Sequence, residues 1–186
     1  MLGNMDKSWC RNFFSRPRKT ERDVVAPSTD PVNAEAQFGL GLKFANGKGV
    51  AQDYVQAANW YRKAAEQSHA LAQFNLGTMY ATGQGVAQDK AQSAVWFDKA
   101  AHLGDAGAQF NLGKSCHRAS FGGLAKDAPE ARIEAYKWYR LAAVQGYQGS
   151  DAAGTALISN MTRADVVAGD LRVAAFTVAG SKVVQS

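Results

Sequence analysis

From Ala34 onward, apolar residues recur at helical spacing. Ala36, Leu40 and Phe44 lie at i, i+4 and i+8, and Ala72, Leu76 and Tyr80 repeat the interval. That spacing stacks one apolar stripe on a helix. Gly47 and Gly83 follow the two stripes, as a helix end closing on a left-handed residue requires. A second helix is predicted after Asp53, Asp89 and Asp127, which stand three residues before Gln56, Gln92 and Glu130. This is a capping-box pattern with Asp in the Ser/Thr place. Trp60, Trp96 and Trp138 recur in these second helices, each followed by an aromatic and then an Ala-Ala pair. The alanines let neighbouring helices approach, and the tryptophans are expected to fill the space between them. On that reading Trp96→Ala costs about 3–5 kcal/mol, as large-to-small core changes do.

The pattern is a repeat. Residues 34–69 and 70–105 align without a gap and are identical at 19 of 36 positions. A third copy, 106–146, carries six inserted residues. Two extra residues are assigned to the inter-helix loop and four to the second helix, close to one turn. A helix from about Ala128 to Gln145 and a protruding loop near Ser120–Lys126 are expected, with Pro129 tolerated in the first helical turn. Residues 147–180 read as a helical cap over the open end of the core. One helix covers Asp151–Asn160. A second opens at Thr162 and Asp165, with Val166, Val167, Leu171, Ala174, Ala175 and Val178 as its apolar face. Residues 181–186 are expected to fray, and residues 1–33 form a basic tail and linker.

The pattern A-x-A-Q-F-x-L-G-x(5)-G-x-G-V-A-Q-D followed by A-x-W-[YF]-x-K-A-A resembles the Sel-1-like repeat, a subclass of the tetratricopeptide-like helical solenoids. The resemblance covers Ala34 to about Gly146. It implies an all-α, right-handed α-solenoid of stacked antiparallel helix pairs, with first helices lining the concave side. It also implies a protein-interaction or scaffolding role, of the kind seen in bacterial signalling, envelope or host-contact systems. Ser68 departs from the family by standing where Gly is usual. The cysteines that staple some secreted members are missing here, which points to a reducing, cytoplasmic compartment.

Composition narrows the chemistry. The chain has 186 residues, 46% hydrophobic and 20% charged, with a net charge of +5. This is globular composition, and the charge is too modest to argue nucleic-acid binding. No 18-residue apolar span exists to cross a membrane, and no apolar core of a secretory signal stands at the start. Cys10 and Cys116 alone make neither a disulfide framework nor a zinc pattern, so no metal or cofactor is expected. Gly113-Lys114-Ser115 ends like a phosphate-binding loop, but Ala108 stands where the first glycine is needed. Cys116 and His117 are adjacent, and i, i+1 side chains on a helix do not face each other. The pair reads as a packed thiol beside a surface residue. His69 and His102 fall near inter-repeat turns and are read as solvated. From Lys7 to Thr20 there are five cations and no acid, interleaved with Trp9, Phe13 and Phe14. Residues 1–30 are open to two readings: a solvated tail, or a segment that folds on a partner or an anionic lipid surface.

Candidate binding residues lie on the first helices, off the buried stripe: Lys43 and Asn46, then Asn75, Thr78 and Thr82, then Asn111, Lys114 and Arg118. Amides can satisfy both donor and acceptor of an extended peptide, and Lys114 with Arg118 favour an acidic partner. The leading expectation is a non-enzymatic adaptor, monomeric or weakly dimeric, that binds a protein or peptide in its concave groove. Two alternatives stand beside it. One is a hydrolase of the β-lactamase-labelled Sel-1-like type, for which no activated serine or metal cluster is present. The other is a scaffold attached to a membrane surface through the N-terminal segment.

Overall fold

A computed structural model describes residues 32–122 and 128–183, all within the compact unit Val32–Ser186. Among the described residues there are eight helices and no strand. They are α1 (Ala34–Asn46), α2 (Tyr54–Glu66), α3 (Ala70–Thr82), α4 (Lys90–His102), α5 (Ala106–Gly122), α6 (Ala128–Val144), α7 (Ser150–Ile158) and α8 (Arg163–Val183). From α1 to α6 each helix packs on its neighbours in sequence, and α6 also packs on α7 and α8. The result is an α-solenoid of three helix pairs closed by a two-helix cap. No helix among the described residues is long and apolar enough to cross a membrane. The tail, the Asp127 cap, the 123–126 part of the expected loop and residues 184–186 lie outside the described residues.

Local chemistry fixes the helix ends. Gly47 and Gly83 close α1 and α3 at φ +67° and +76°, and their N–H groups donate to Lys43 O and Met79 O. The side-chain amides of Gln52 and Gln88 reach back to Ala45 O at 2.7 Å and Ala81 O at 2.8 Å, pinning each loop to the helix it leaves. Asp53 Oδ1 accepts from the N–H of Val55 and Gln56, and Asp89 Oδ1 from Ala91 and Gln92. The reciprocal half of the box is not made, because the Asp53 and Asp89 N–H groups donate to Phe44 O and Tyr80 O of the preceding helix. A complete box forms at α8. There Thr162 N–H donates to Asp165 Oδ2 at 3.0 Å and Asp165 N–H to Thr162 Oγ1 at 3.2 Å. These bonds hold the Asp165 carboxyl below its usual range.

The core corrects the role given to the tryptophans. Trp60 and Trp96 are half-buried, and only Trp138 is buried. The wedge between helices is the aromatic that follows each of them. Tyr61, Phe97 and Tyr139 lie against Gly41, Gly77 and Gly113, where an added Cβ would meet the ring at 2.5, 3.0 and 2.6 Å. Phe38, Phe74 and Phe110 then pack on the same rings at centroid separations of 5.7, 5.6 and 5.6 Å. Each glycine lets two helix backbones close around one aromatic ring. Lys63, Lys99 and Lys137 place their ammonium groups 4.1, 4.2 and 4.1 Å over the tryptophan rings. At the half-buried Trp60 and Trp96 the lysine covers a face the core leaves open. Ala36 is exposed, no helix pair preceding α1 among the described residues; its counterpart Ala72 is fully buried.

The extra length of the third repeat enters both helices. The α6 helix has 17 residues, starting at Ala128 as the spacing predicts. The α5 helix also has 17, against 13 for α1 and α3. Ser120, Phe121 and Gly122 are therefore helical, where a loop was expected. The cause is Ala119, which occupies the register of Gly47 and Gly83. Without a left-handed glycine the helix runs one turn further, and Phe121 is left 78% exposed.

The two helices after Gly146 pack on α6, and α8 turns only part of the face the sequence indicated toward it. Val167, Leu171 and Val178 of α8 are exposed. Val166, a member of the expected face, does turn inward, beside Val173 and Phe176, and Gly169 seats against the Tyr136 ring. Arg172 spans to α6, with bonds of 2.7 and 3.0 Å to Glu130 and 2.6 Å to Glu134. Lys137 completes the cluster at 2.6 Å from Glu134. Burial pushes the Glu134 carboxyl up, but Lys137 and Arg172 outweigh it and hold it below the usual range. The α8 helix continues past Gly180 to Val183, beyond the expected point of fraying.

One departure from the family pattern carries a stability prediction. Ser68 has φ +62°, while Gly104 and Gly146 occupy the same place in the next two copies at +92° and +73°. A side chain in the left-handed region costs about 1–2 kcal/mol, partly offset by the greater unfolded freedom of Gly. Ser68→Gly should raise stability by about 0.5–1 kcal/mol in urea denaturation. An unchanged or lower midpoint would show that the Ser68 backbone is not strained.

Candidate functional site

The helical registers order the candidate residues into three short columns. On α3, Asn75, Thr78 and Thr82 stand at i, i+3 and i+7, one face of the helix. On α5, Asn111, Lys114 and Arg118 hold the same registers, and on α1 they fall to Gly39, Leu42 and Asn46. Lys43 is therefore one position off the column, in the register of the buried Met79. Leu42, 37% exposed, stands where Lys43 was expected. The column count from the third repeat back to the first would have found it.

The columns differ in what they can offer a partner. On α3 the polar groups are largely spent within the chain. Thr78 Oγ1 donates to Phe74 O at 3.1 Å and Thr82 Oγ1 to Thr78 O at 3.0 Å. Asn75 hydrogen-bonds the Tyr61 hydroxyl, although burial is the larger influence and pushes that phenol up. On α5 the picture changes. Lys114 and Arg118 are exposed and make no ion pair among the described residues. Lys114 Nζ lies 5.7 Å from the Phe110 ring centroid. Asn111, like Asn75, is half-buried. The face thus runs from neutral on α1 and α3 to cationic on α5, apart from the off-column Lys43. The acids of the adjoining pair, Glu130 and Glu134, are already engaged by Arg172 and Lys137.

The histidines are not simply solvated. His69 stacks on Phe38 at 4.6 Å. Its Nδ1 accepts from Ala72 N–H at 3.2 Å, capping α3, and its Nε2 lies 3.0 Å from Glu35 Oε2. With Nδ1 as acceptor, the ring proton sits on Nε2 and faces the carboxylate. His102 is more exposed, edge-on to Trp138 at 5.3 Å, with Nδ1 2.9 Å from Asp98 O. Cys116 is half-buried among the aromatic clusters of α5 and α6. Burial first, and then the charge of Glu134, pushes its thiol up. That is the opposite of what an activated nucleophile needs. His117 packs beside Phe121 and Tyr139 at 5.3 and 6.2 Å.

Known proteins share both the sequence pattern and the fold. The Sel1 repeat family model matches three times, at residues 34–69, 70–105 and 106–147. A structure described as c5321, a protective antigen present in uropathogenic Escherichia coli strains and displaying an SLR fold, is 43% identical with a TM-score of 0.51. That match covers 61% of this chain and 23% of the antigen. A Sel1 repeat protein from Oxalobacter formigenes is 34% identical with a TM-score of 0.56, over 66% of this chain and 48% of its own. The chain thus spans about a quarter of the first relative and about half of the second. No curated protein matches the sequence. With three consecutive repeat units matched end to end over more than half its length, the chain belongs to the Sel1 repeat family.

Proposed function

We propose that this chain is a non-enzymatic adaptor that holds an acidic segment of a protein partner along the face built by α1, α3 and α5. Sel1 repeat proteins are generally protein-interaction scaffolds. The observation that carries the finer reading is the exposed Lys114 and Arg118 pair, in register with neutral residues on the preceding repeats. Two cations that make no ion pair among the described residues attract an acidic partner and speed its encounter more than they add affinity by contact. Asn111 beside them offers an amide to the partner backbone. In this reading the adaptor works in the cytoplasm, where Cys116 remains a thiol.

Affinity capture from native lysate with residues 31–186, read beside full-length protein and Lys114→Glu/Arg118→Glu, tests the proposal. A partner retained by both wild-type baits should bind the double variant at least tenfold more weakly, with steeper loss of wild-type binding as salt rises. Equal affinity for the double variant would remove the cationic column from the site. A partner lost with residues 1–30 would place recognition in that segment.

A further inference from the structure

Each repeat carries a buried glutamine at the same register: Gln37, Gln73 and Gln109, at 7%, 3% and 1% exposure. In the first and third repeats its side-chain oxygen is satisfied from within the chain. Gln67 Nε2 donates to Gln37 Oε1 at 2.8 Å, and Gln145 Nε2 to Gln109 Oε1 at 2.9 Å. The middle repeat breaks this rule. The residue in the register of Gln67 and Gln145 is Leu103. Gln73 Nε2 still donates to Ala65 O at 2.9 Å, as Gln109 Nε2 does to Ala101 O at 3.2 Å. Gln73 Oε1 is left buried with no partner, and so is Trp96 Nε1.

These two orphans share a cleft. Gln73, Trp96 and Leu103 line one cavity of about 530 Å³ between the ends of α2 and α4, with Glu66, Ser68 and Lys99 around it. Of the residues lining it, Gln73 holds an acceptor without a donor and Trp96 a donor without an acceptor, both just beneath the accessible surface. Buried polar groups in folded proteins are rarely left so. The volume far exceeds the roughly 30 Å³ of one water.

We infer that this cleft is a subsite for the primary carboxamide of a glutamine side chain on a bound peptide segment. The amide NH₂ donates to Gln73 Oε1, and the amide oxygen accepts from Trp96 Nε1–H. The ligand supplies from outside the group that Gln67 and Gln145 supply from inside in the flanking repeats. Both protein atoms lie beneath the accessible surface, so entry requires a lining side chain to move, and Leu103 and Lys99 are exposed members of that lining. A carboxylate side chain would bring no donor for Gln73, and an isosteric apolar one would satisfy neither atom. The subsite lies apart from the Lys114 and Arg118 column and stands or falls without it.

The test is nuclear magnetic resonance of the full chain labelled with nitrogen-15, the Trp96 indole signal being assigned with Trp96→Phe. N-acetyl-L-glutamine N-methylamide is titrated beside its glutamate and leucine analogues. The expected result is a saturable shift of the Trp96 indole signal with the glutamine probe, at least tenfold weaker with the other two, while Trp60 and Trp138 stay in place. Leu103→Gln, which rebuilds the internal amide pair, should abolish the response and raise the melting temperature. Should that variant fail to fold, Gln73→Met removes the acceptor and should abolish the response in its place. A Trp96 signal indifferent to the glutamine probe, equally moved by the leucine analogue, or still responsive in the folded variant, would overturn the assignment.

Discussion

Gly85→Ala should destabilise this protein far more than Gly49→Ala, although the two glycines hold the same place in successive repeats. Both have positive φ, +69° and +78°. Either substitution therefore incurs the left-handed penalty of about 1–2 kcal/mol. What differs is the neighbour. A Cβ on Gly49 would meet nothing within 4 Å, whereas one on Gly85 would run into the backbone carbonyl of Tyr54, the first residue of α2. That carbonyl belongs to a helix end and cannot rotate away as a side chain can. Overpacking of this kind adds about 1–3 kcal/mol, which with the left-handed penalty puts Gly85→Ala at roughly 2–5 kcal/mol. Urea unfolding followed by circular dichroism would measure both. Equal midpoints would mean that the loop of the second repeat does not rest on the first.

The other large effect is expected at Trp138. It is 4% exposed and meets His102 of α4 at 5.3 Å and Phe176 of α8 at 5.5 Å. One side chain thus holds the second pair, the third pair and the cap. Trp138→Ala should cost about 3–5 kcal/mol. At roughly 2–4 °C per kcal/mol for a chain of this size, the melting temperature falls by on the order of 10 °C. Trp96→Ala, half-buried under Lys99, should cost about half as much. If Trp96→Ala proved the more damaging of the two, the burial order described above would be wrong.

The repeat register was legible because it is written in residues with narrow roles. Gly47, Gly83, Asp53 and Asp89 each do what their chemistry allows few others to do at a helix end. Where the sequence misled, the residue type was compatible with two environments. A tryptophan can be a core wedge or a half-covered plate under a lysine, and periodicity does not separate the two. The wedge was written elsewhere, in Gly41, Gly77 and Gly113 opposite the next aromatic, a relation visible only between helices. On α8, Val166, Val167, Leu171 and Val173 offer more than one apolar stripe, and the Arg172 bridge to Glu130 and Glu134 decides which one turns inward. At the candidate face, the basic end was readable from Lys114 and Arg118. The Gln73 and Leu103 mismatch was present in the sequence as a broken register, but it acquires meaning only once Gln67 and Gln145 are seen holding their partners.

The way α6 is occupied bears on how such an array changes in length over generations. The α2 and α4 helices each hand on to a single successor, but α6 already carries both α7 and α8. A duplicated unit inserted directly after Gly146 would find that surface taken and would first have to displace the Arg172 clasp. A unit duplicated between Asn33 and Asp105 meets no such obstacle, because α2 and α4 each pack on a single successor and the glycine–aromatic wedges are made within each pair. Residues 34–69 and 70–105, which align without a gap at 19 identical positions of 36, have the form that interior duplication leaves behind. The third unit, lengthened by a turn in both helices, has the form of one committed to its place beside the cap. On these contacts a further unit is accommodated within the array more readily than at its capped end.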